Sequence, residues 1–600
     1  MEYPNIYSLF VDRVKRFGAL NENQARDVFY FRSGDHWRGI SWDGFAEEVK
    51  YFASALMARG LQKGRSVCVL MGNVPEWPIA DLGIIAAGGV GTGLYPTSSA
   101  EQCQYVIDHS DAEFLMVDTV SQLRKIQTIR TQLPRLKTII VLDEEAANTD
   151  EDAISYRAFI NQGRQLLSRV SSLLEARAEA ASPEDIAIMV YTSGTTGRPK
   201  GACLSHRYVL NSVESLGQTI PLKEKDISFS YLPFCHVAER ISGLYNRLYS
   251  GAAAYFVDDL SRLGEYMLDV RPTVFASLPR FFEKIHARIQ GDLELLPADD
   301  RRKFKEAVDL GRQLSRLRQQ GLNVPEKLRI EYEQRATILE RVKDYFGGRI
   351  RLATSGGAPL PLEVAEFFDA TGLPILQAYG LTENVCVAFN RPDKYRFGTV
   401  GPPMPGCEVK IAADGEILVR SRMMFSGYYK SPEQTAEVLK DGWLLTGDLG
   451  HIDDQGFLSI TGRKKELIVT STGKKIAPAM IENMLKEHHL ISQAMVYGEG
   501  KSYLVALITL NAAEAANYAK AHGFRQQSFG ELVRSQEVGN LMRQIVDQVN
   551  SRVSSTESIK KFLVLERDFE LERDEITPTG KLRRGVITQR FGESIAGLYT

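Results

Sequence analysis

Six short runs rich in β-branched and aromatic residues recur along the chain: RSVCVLMGN (65–73), AEFLMVD (112–118), LKTIIVLDE (136–144), DIAIMVYTSG (185–194), AAAYFVDD (252–259) and PTVFASLP (272–279). From about residue 40 onward, amphipathic helical stretches separate them. Strands spaced by helices cannot pair through tight hairpins, so the pattern predicts an α/β architecture with a largely parallel sheet. At 600 residues the chain is too long for one core, and roughly 150 residues per domain suggests about four compact units or subdomains.

The fourth run leads straight into YTSGTTGRPKG (191–201). Glycines let a backbone approach a ligand closely, and hydroxyls with free amides can ring an anion, so a phosphate chain is the first candidate. The Walker A pattern is not met, because Lys200 follows Pro199 and precedes Gly201. A mobile surface loop is the alternative. Its place at the carboxyl end of a strand, where open α/β sheets bind ligands, favours a binding role.

Composition narrows the partners. Apolar residues make up 44% and charged residues 25%, the profile of a folded protein. A net charge of −2 gives no general attraction for nucleic acid or anionic lipid. The six cysteines, at 68, 103, 203, 235, 386 and 407, form no C-x-x-C pair, so neither a zinc site nor a disulfide framework is indicated and a reducing compartment fits. MEYPNIYSLFVDRVKRFG argues against a signal peptide, and the most apolar window, 81–96, is too short and glycine-rich to span a bilayer. The expectation is a cytoplasmic protein, with peripheral contact at the inner face of the membrane and oligomeric state both left open.

Residues 290–346 are densely charged with apolar residues at helical spacing, which predicts a helical hairpin insertion broken near Gly321 to Pro325, its charge a solvated face. GEILVRS (415–421) and 456–478 read as β-hairpins, followed by a smaller αβ region containing YLVALITL (503–510) and two helical segments. No internal repeat is evident.

Seven further segments join the glycine-rich one in order: LPFCHVAER (232–240), SGGAPL (355–360), QAYGLTEN (377–384), GEILVRSRMMFSGYYK (415–430), DGWLLTGDLG (441–450), TGRKKELIV (461–469) and PTGKLRR (578–584). The set resembles the adenylate-forming superfamily of acyl-CoA synthetases, adenylation domains and luciferases over roughly residues 40–590. The resemblance implies a large multi-subdomain adenylation domain, 1–461, and a small mobile α+β lid domain, 462–600, using ATP, Mg²⁺ and CoA as co-substrate. A carboxylate would attack the α-phosphate and expel pyrophosphate, chemistry that needs cations and donors more than an acid or base.

By the same resemblance Thr192, Ser193, Gly194, Thr195, Thr196, Gly197 and Lys200 form the phosphate loop, with Thr192 and Glu383 near Mg²⁺. Gly356, Gly357 and Ala358 would admit the adenine, with Gln377, Ala378, Tyr379, Gly380 and Thr382 beside it and Tyr379 stacked on the base. Asp448 would accept the ribose hydroxyls, assisted by Arg463. His236 stands at the mouth of the acyl pocket, Lys465 is the hinge, and Lys581 reaches from the small domain to the reacting carboxylate. A Cys235–His236 nucleophile is rejected, since no acyl-enzyme is required.

The charged insertion and the segments 425–435 and 441–471 are most similar to bacterial long-chain fatty acyl-CoA synthetases, which implies ATP-dependent activation of long-chain fatty acids and transfer to CoA. The alternatives are a fatty acyl-AMP ligase, another carboxylic acid:CoA ligase, or a catalytically silent acyl- or nucleotide-binding homologue. Two departures stand out: Thr472-Gly473-Lys474-Lys475 where relatives commonly have Gly-Gly-Lys-Asn, and Leu445 where a histidine is frequent.

Overall fold

In the computed structural model, residues 3–18, 26–192, 198–523, 528–577 and 580–600 are described. An eight-stranded sheet runs in the order Gly427–Tyr428, Lys200–Ser205, Ile186–Thr192, Val90–Gly93, Ser66–Leu70, Phe114–Val117, Thr138–Val141 and Ala153–Ser155. It is parallel from Ile186–Thr192 to its far edge and antiparallel on the other side. Every residue of Ser66–Leu70, Phe114–Val117 and Thr138–Val141 is buried, as expected of parallel strands covered on both faces.

AAAYFVDD and PTVFASLP feed two other sheets. Ala253–Phe256 pairs with Ile227–Ser230 and Asp27–Ser33, and Val274–Ser277 with Leu352–Ser355, which in turn pairs with Ile375–Leu381. The charged region fills the crossover between the parallel neighbours Val274–Ser277 and Leu352–Ser355. It begins earlier than expected, with helix Pro279–Glu294, then Ala298–Gln319 and Glu326–Arg335, the break falling at 320–325. Helix Ala298–Gln319 buries Phe304, Ala307, Val308, Gly311 and Leu314, one apolar stripe that leaves its charges to solvent.

Packing around Val90–Gly93 depends on its glycines. A Cβ at Gly93 would lie 2.7 Å from the Cys235 Cα, and one at Gly91 would strike the Arg240 guanidinium. The absence of side chains there lets the π-helical turn Ala238–Tyr245 lie against the strand. Arg240 and Asp81 are both about 99% buried there. Arg240 donates through Nε to Asp81 Oδ2 (3.1 Å) and through Nη1 to Gly91 O (3.1 Å), stacks on Trp77 at 4.9 Å, and Tyr245 donates to Asp81 Oδ2 (2.7 Å).

The segment 456–478 is two structures, not one hairpin. Leu458–Arg463 closes a five-stranded antiparallel sheet by pairing with Trp443–Ile452, while Ile468–Val469 and Lys475–Ile476 form a separate hairpin. Between them lies the three-residue turn Lys464–Glu466, with Lys464 bound to Asp414 (2.6 Å) and Glu416 (2.9 Å). Beyond it, the smaller domain holds a three-stranded sheet, Ile491–Tyr497, Leu504–Leu510 and Ile559–Leu565, with Pro478–Lys486 and Gln536–Asn550 packed in one core and Arg584–Arg590 and Gly592–Gly597 in another. Arg280 of the large domain reaches Ser492 Oγ (2.8 Å) and Asp568 Oδ2 (3.5 Å) of the small one.

All six cysteines are buried and unpaired. Burial pushes the Cys68 and Cys407 thiols up to about 12 and those of Cys103 and Cys203 to about 11. Among the described residues no helix is long and apolar enough to cross a membrane.

Candidate active site

Antiparallel register sets the first element of the site. Asp448 and Arg463 are direct cross-strand partners, so their side chains emerge on one face. Arg463 Nε donates to Asp448 Oδ1 (2.7 Å), and Tyr379, from Ile375–Leu381, donates its hydroxyl to Oδ2 (2.5 Å). Burial raises the Tyr379 pKa well above its usual value and the Asp448 charge adds to it. For Arg463 burial acts downward, and Asp448 more than reverses it. Tyr379 itself sits in the main core, 9% exposed. Asp448 is buried, but the Arg463 side chain is 40% exposed.

Gly356, Gly357 and Ala358 follow Leu352–Ser355 directly. Gly357 has φ +79°, a conformation that favours glycine, and Gly356 lies open beside Ala378. Gln377 Oε1 accepts from the Leu360 amide (3.0 Å) and ties this turn to the next strand. At Gly380 a Cβ would fall 1.9 Å from Val385 O, so only glycine permits the tight reversal that carries Thr382 and Glu383. Tyr208 staples that reversal, donating to Thr382 O (2.9 Å) and accepting from Val385 N (2.9 Å).

The glycine-rich loop bridges two antiparallel strands. Thr192 pairs with Lys200 across them, so no helix N-terminus follows the loop as it does in a Walker A site. Ser193, Gly194, Thr195, Thr196 and Gly197 lie outside the described residues. Both cations leaving the loop rest on aromatic faces, Arg198 on Tyr105 (5.4 Å) and Lys200 on Tyr428 (4.8 Å). Tyr428 also donates its hydroxyl to Glu383 Oε1.

His236 accepts the Ala238 amide on Nδ1 (3.1 Å), which assigns its remaining proton to Nε2. Burial, and then the charge of Lys581, lower its pKa to about 4, so the ring is neutral at physiological pH. Lys581 stands in a turn where its amide donates to Thr577 Oγ1 (3.1 Å). Although solvent reaches it, crowding by protein lowers its pKa; Arg463 adds to this, and Asp448, Glu466 and Glu383 oppose it. Lys581 of the small domain therefore shares one electrostatic environment with His236, Glu383, Asp448 and Arg463 of the large one. Lys465 lies exposed in the Lys464–Glu466 turn.

Among the described residues no group of three or more His, Cys, Asp or Glu is arranged to hold a metal ion. The Glu383 carboxylate and the Thr192 hydroxyl are oxygen donors of the kind that would suit a hard ion keeping most of its waters. Sequence reasoning missed Tyr428, though SGYYK was in view: a tyrosine at the end of a β-run carries no mark distinguishing a site residue from a core one. It also missed the Asp81–Arg240–Tyr245 cluster, whose members lie far apart in the chain.

Solved structures share this architecture. The anthranilate CoA ligase AuaEII in complex with anthranoyl-AMP superposes with a TM-score of 0.73 at 20% identity, covering 98% of this chain and 97% of its own. ATP-bound MatB from Rhodopseudomonas palustris gives 0.67 at 22% identity, with 98% and 99% covered. The chain belongs to the family of AMP-binding enzymes, which matches residues 18–429, with the family's C-terminal domain matching 465–600. Its relatives include the long-chain-fatty-acid-CoA ligase FadD15 of Mycobacterium bovis, 34% identical over 94% of this chain and 92% of that protein. The long-chain-fatty-acid-CoA ligase ACSBG2 of Xenopus laevis is 30% identical over 99% and 83%.

Proposed function

We propose that the chain is an AMP-forming long-chain fatty acid:CoA ligase. The observation that carries this reading is the convergence of Lys581 with Glu383, Asp448, Arg463 and His236 across the domain boundary. Relatives named as long-chain-fatty-acid-CoA ligases over nearly the whole chain support the acid class.

In the first half-reaction a fatty acid carboxylate oxygen attacks the α-phosphorus of ATP, the bond to the pyrophosphate oxygen breaks, and acyl-adenylate forms. Asp448 accepts the ribose hydroxyls on the lone pairs that Tyr379 and Arg463 leave free. The Gly356–Ala358 turn and Ala378 supply a face without bulk for adenine. Tyr379 borders that face with its hydroxyl committed to Asp448, while Gln377, Gly380 and Thr382 shape the strand and reversal. Thr192 to Gly197 and Lys200 hold the β- and γ-phosphates, and Lys581 balances charge between the carboxylate and the α-phosphate. Glu383 and Thr192 would hold Mg²⁺, which would supply positive charge against the phosphates. In the second half-reaction the CoA thiol gives up its proton to solvent and its sulfur attacks the acyl carbon, the C–O bond to AMP breaks, and the thioester and AMP leave. His236, neutral with its proton on Nε2, offers a donor at the mouth of the acyl pocket.

We place the boundary between the domains at 461/462, within strand Leu458–Arg463, whose Arg463 pairs with Asp448. Lys465 in the following turn is the pivot. Six unpaired cysteines fit a reducing, cytoplasmic setting.

The test is a screen of C2 to C18 acids for acid-dependent pyrophosphate release, with and without CoA. Long-chain acids should give the highest kcat/KM, since each buried methylene adds roughly 0.8 kcal/mol. Preference for acetate or an aryl acid overturns the long-chain assignment and leaves the family intact.

A further inference from the structure

Tyr428 occupies a place that no motif role accounts for. It belongs to the two-residue strand Gly427–Tyr428, which pairs with Lys200–Ser205 so that Tyr428 faces Ala202. Its backbone is pinned on every side. Its own amide donates to Thr435 Oγ1 (2.9 Å), and the flanking Ser426 and Tyr429 amides donate to Cys203 O and Gly201 O (2.8 Å each). Phe425 packs its ring edge-on at 4.9 Å. From this fixed position the hydroxyl donates to Glu383 Oε1 and the ring face carries Lys200 Nζ at 4.8 Å.

One side chain thus touches both a phosphate-loop cation and the carboxylate assigned to the metal. A neutral phenol donor takes one lone pair of Oε1 and fixes the plane of the carboxylate, leaving Oε2 to bind. An unheld glutamate would lose that freedom only on binding, and affinity would fall accordingly. The ring face does the complementary work. It attracts the ammonium through its quadrupole, and so seats Lys200 beside Glu383 without a direct ion pair between them. A Lys–Glu pair here would spend each charge on the other instead of on phosphate and metal.

We propose that Tyr428 is a positioning residue for ATP activation: its hydroxyl presets Glu383 for the divalent ion, and its ring presets Lys200 for the phosphates. The inference rests on Glu383 being the metal ligand, so the experiment includes Glu383→Gln beside Tyr428→Phe, which keeps the ring, and Tyr428→Leu, which keeps neither function. Three quantities are measured: half-saturation by Mg²⁺ in pyrophosphate release, Mn²⁺ binding by electron paramagnetic resonance with ATP present, and metal-free ATP binding by calorimetry. Thermal melting accompanies each variant.

Tyr428→Phe should raise Mg²⁺ half-saturation and weaken Mn²⁺ binding by roughly tenfold, the effect of losing a hydrogen bond to a charged group. Its metal-free ATP affinity and melting temperature should match the parent's. Tyr428→Leu should add a loss of about twofold to fivefold in metal-free ATP binding, the scale of an exposed cation–π contact. If Glu383→Gln weakens metal binding while Tyr428→Phe does not, the proposal is wrong and the reading of Glu383 stands. If Glu383→Gln leaves metal binding unchanged, the proposal falls together with that reading. A merely structural Tyr428 would instead lower the melting temperature and weaken metal and metal-free ATP binding alike.

Discussion

The molecule joins the same three residue types twice, with different hydrogen-bond patterns. Asp81, Arg240 and Tyr245 form one constellation and Asp448, Arg463 and Tyr379 the other, each an aspartate that accepts an arginine Nε and a tyrosine hydroxyl. In the first, Arg240 also engages Asp81 Oδ1 through Nη2 and Gly91 O through Nη1, so its capacity is largely spent and water is excluded. In the second, Arg463 engages the aspartate through Nε, and 40% of its side chain is exposed. A constellation with hydrogen-bonding capacity left over can still take a ligand. A sealed one can only hold the fold together.

The most forceful way to break this comparison is to cut the sealed cluster. Asp81→Asn leaves Arg240 buried with its charge uncompensated and should cost about 3–5 kcal/mol of stability. Denaturant unfolding followed by the fluorescence of Trp77, which stacks on Arg240 at 4.9 Å, reads the effect locally. A loss below about 1 kcal/mol, the scale of an exposed pair, would show that the cluster is not sealed in solution.

Next comes the residue that the open constellation shares its environment with. Lys581→Ala should slow adenylation by about 10²–10³, yet convert preformed acyl-adenylate and CoA to thioester at the parent's rate. Lys465→Pro, which restricts φ at the proposed pivot, should show the reverse. Equal losses in both half-reactions for Lys581→Ala would return that lysine to a structural role.

Asp448→Ala sharpens the contrast directly. It should weaken ATP binding by about 1–3 kcal/mol while changing stability far less than Asp81→Asn, because Arg463 can turn to water. Calorimetric titration with ATP and a melting curve test both halves, and a variant that melts early but binds ATP normally would invert the assignment.

The smallest effect concerns His236. Its folded pKa of about 4 lies below the ordinary 6.5, so between these values the unfolded chain binds more protons than the folded one. Stability therefore falls as pH drops from 6.5 to 4, and His236→Gln should flatten that slope by up to one proton, under about 1.4 kcal/mol per pH unit. An unchanged slope would mean that His236 is solvated like a surface histidine.

The strands bearing the motifs were legible because a buried parallel strand is a continuous apolar run, and the break in the charged insertion because Gly321 and Pro325 bracket it. Asp448 and Arg463 were legible as two ribose contacts from separate motifs; the hydrogen bond between them is a matter of antiparallel register, which no local pattern states. The hairpin nature of the glycine-rich loop was hidden for a related reason. KGACLS has the same composition whether it returns beside its predecessor or continues into a helix, and the tertiary sheet decides. Pairs such as Asp81 with Arg240, 159 residues apart, leave no local trace at all.

The six cysteines, each sealed in the interior, have a practical consequence. Thiol reagents act on the exposed thiolate, and burial withholds both exposure and ionisation from all six. A cysteine introduced on the surface of each domain would then be labelled by a maleimide dye against a silent background. Energy transfer between two such dyes would follow the distance between Lys581 and the large domain turnover by turnover, without removing a single native residue from the core.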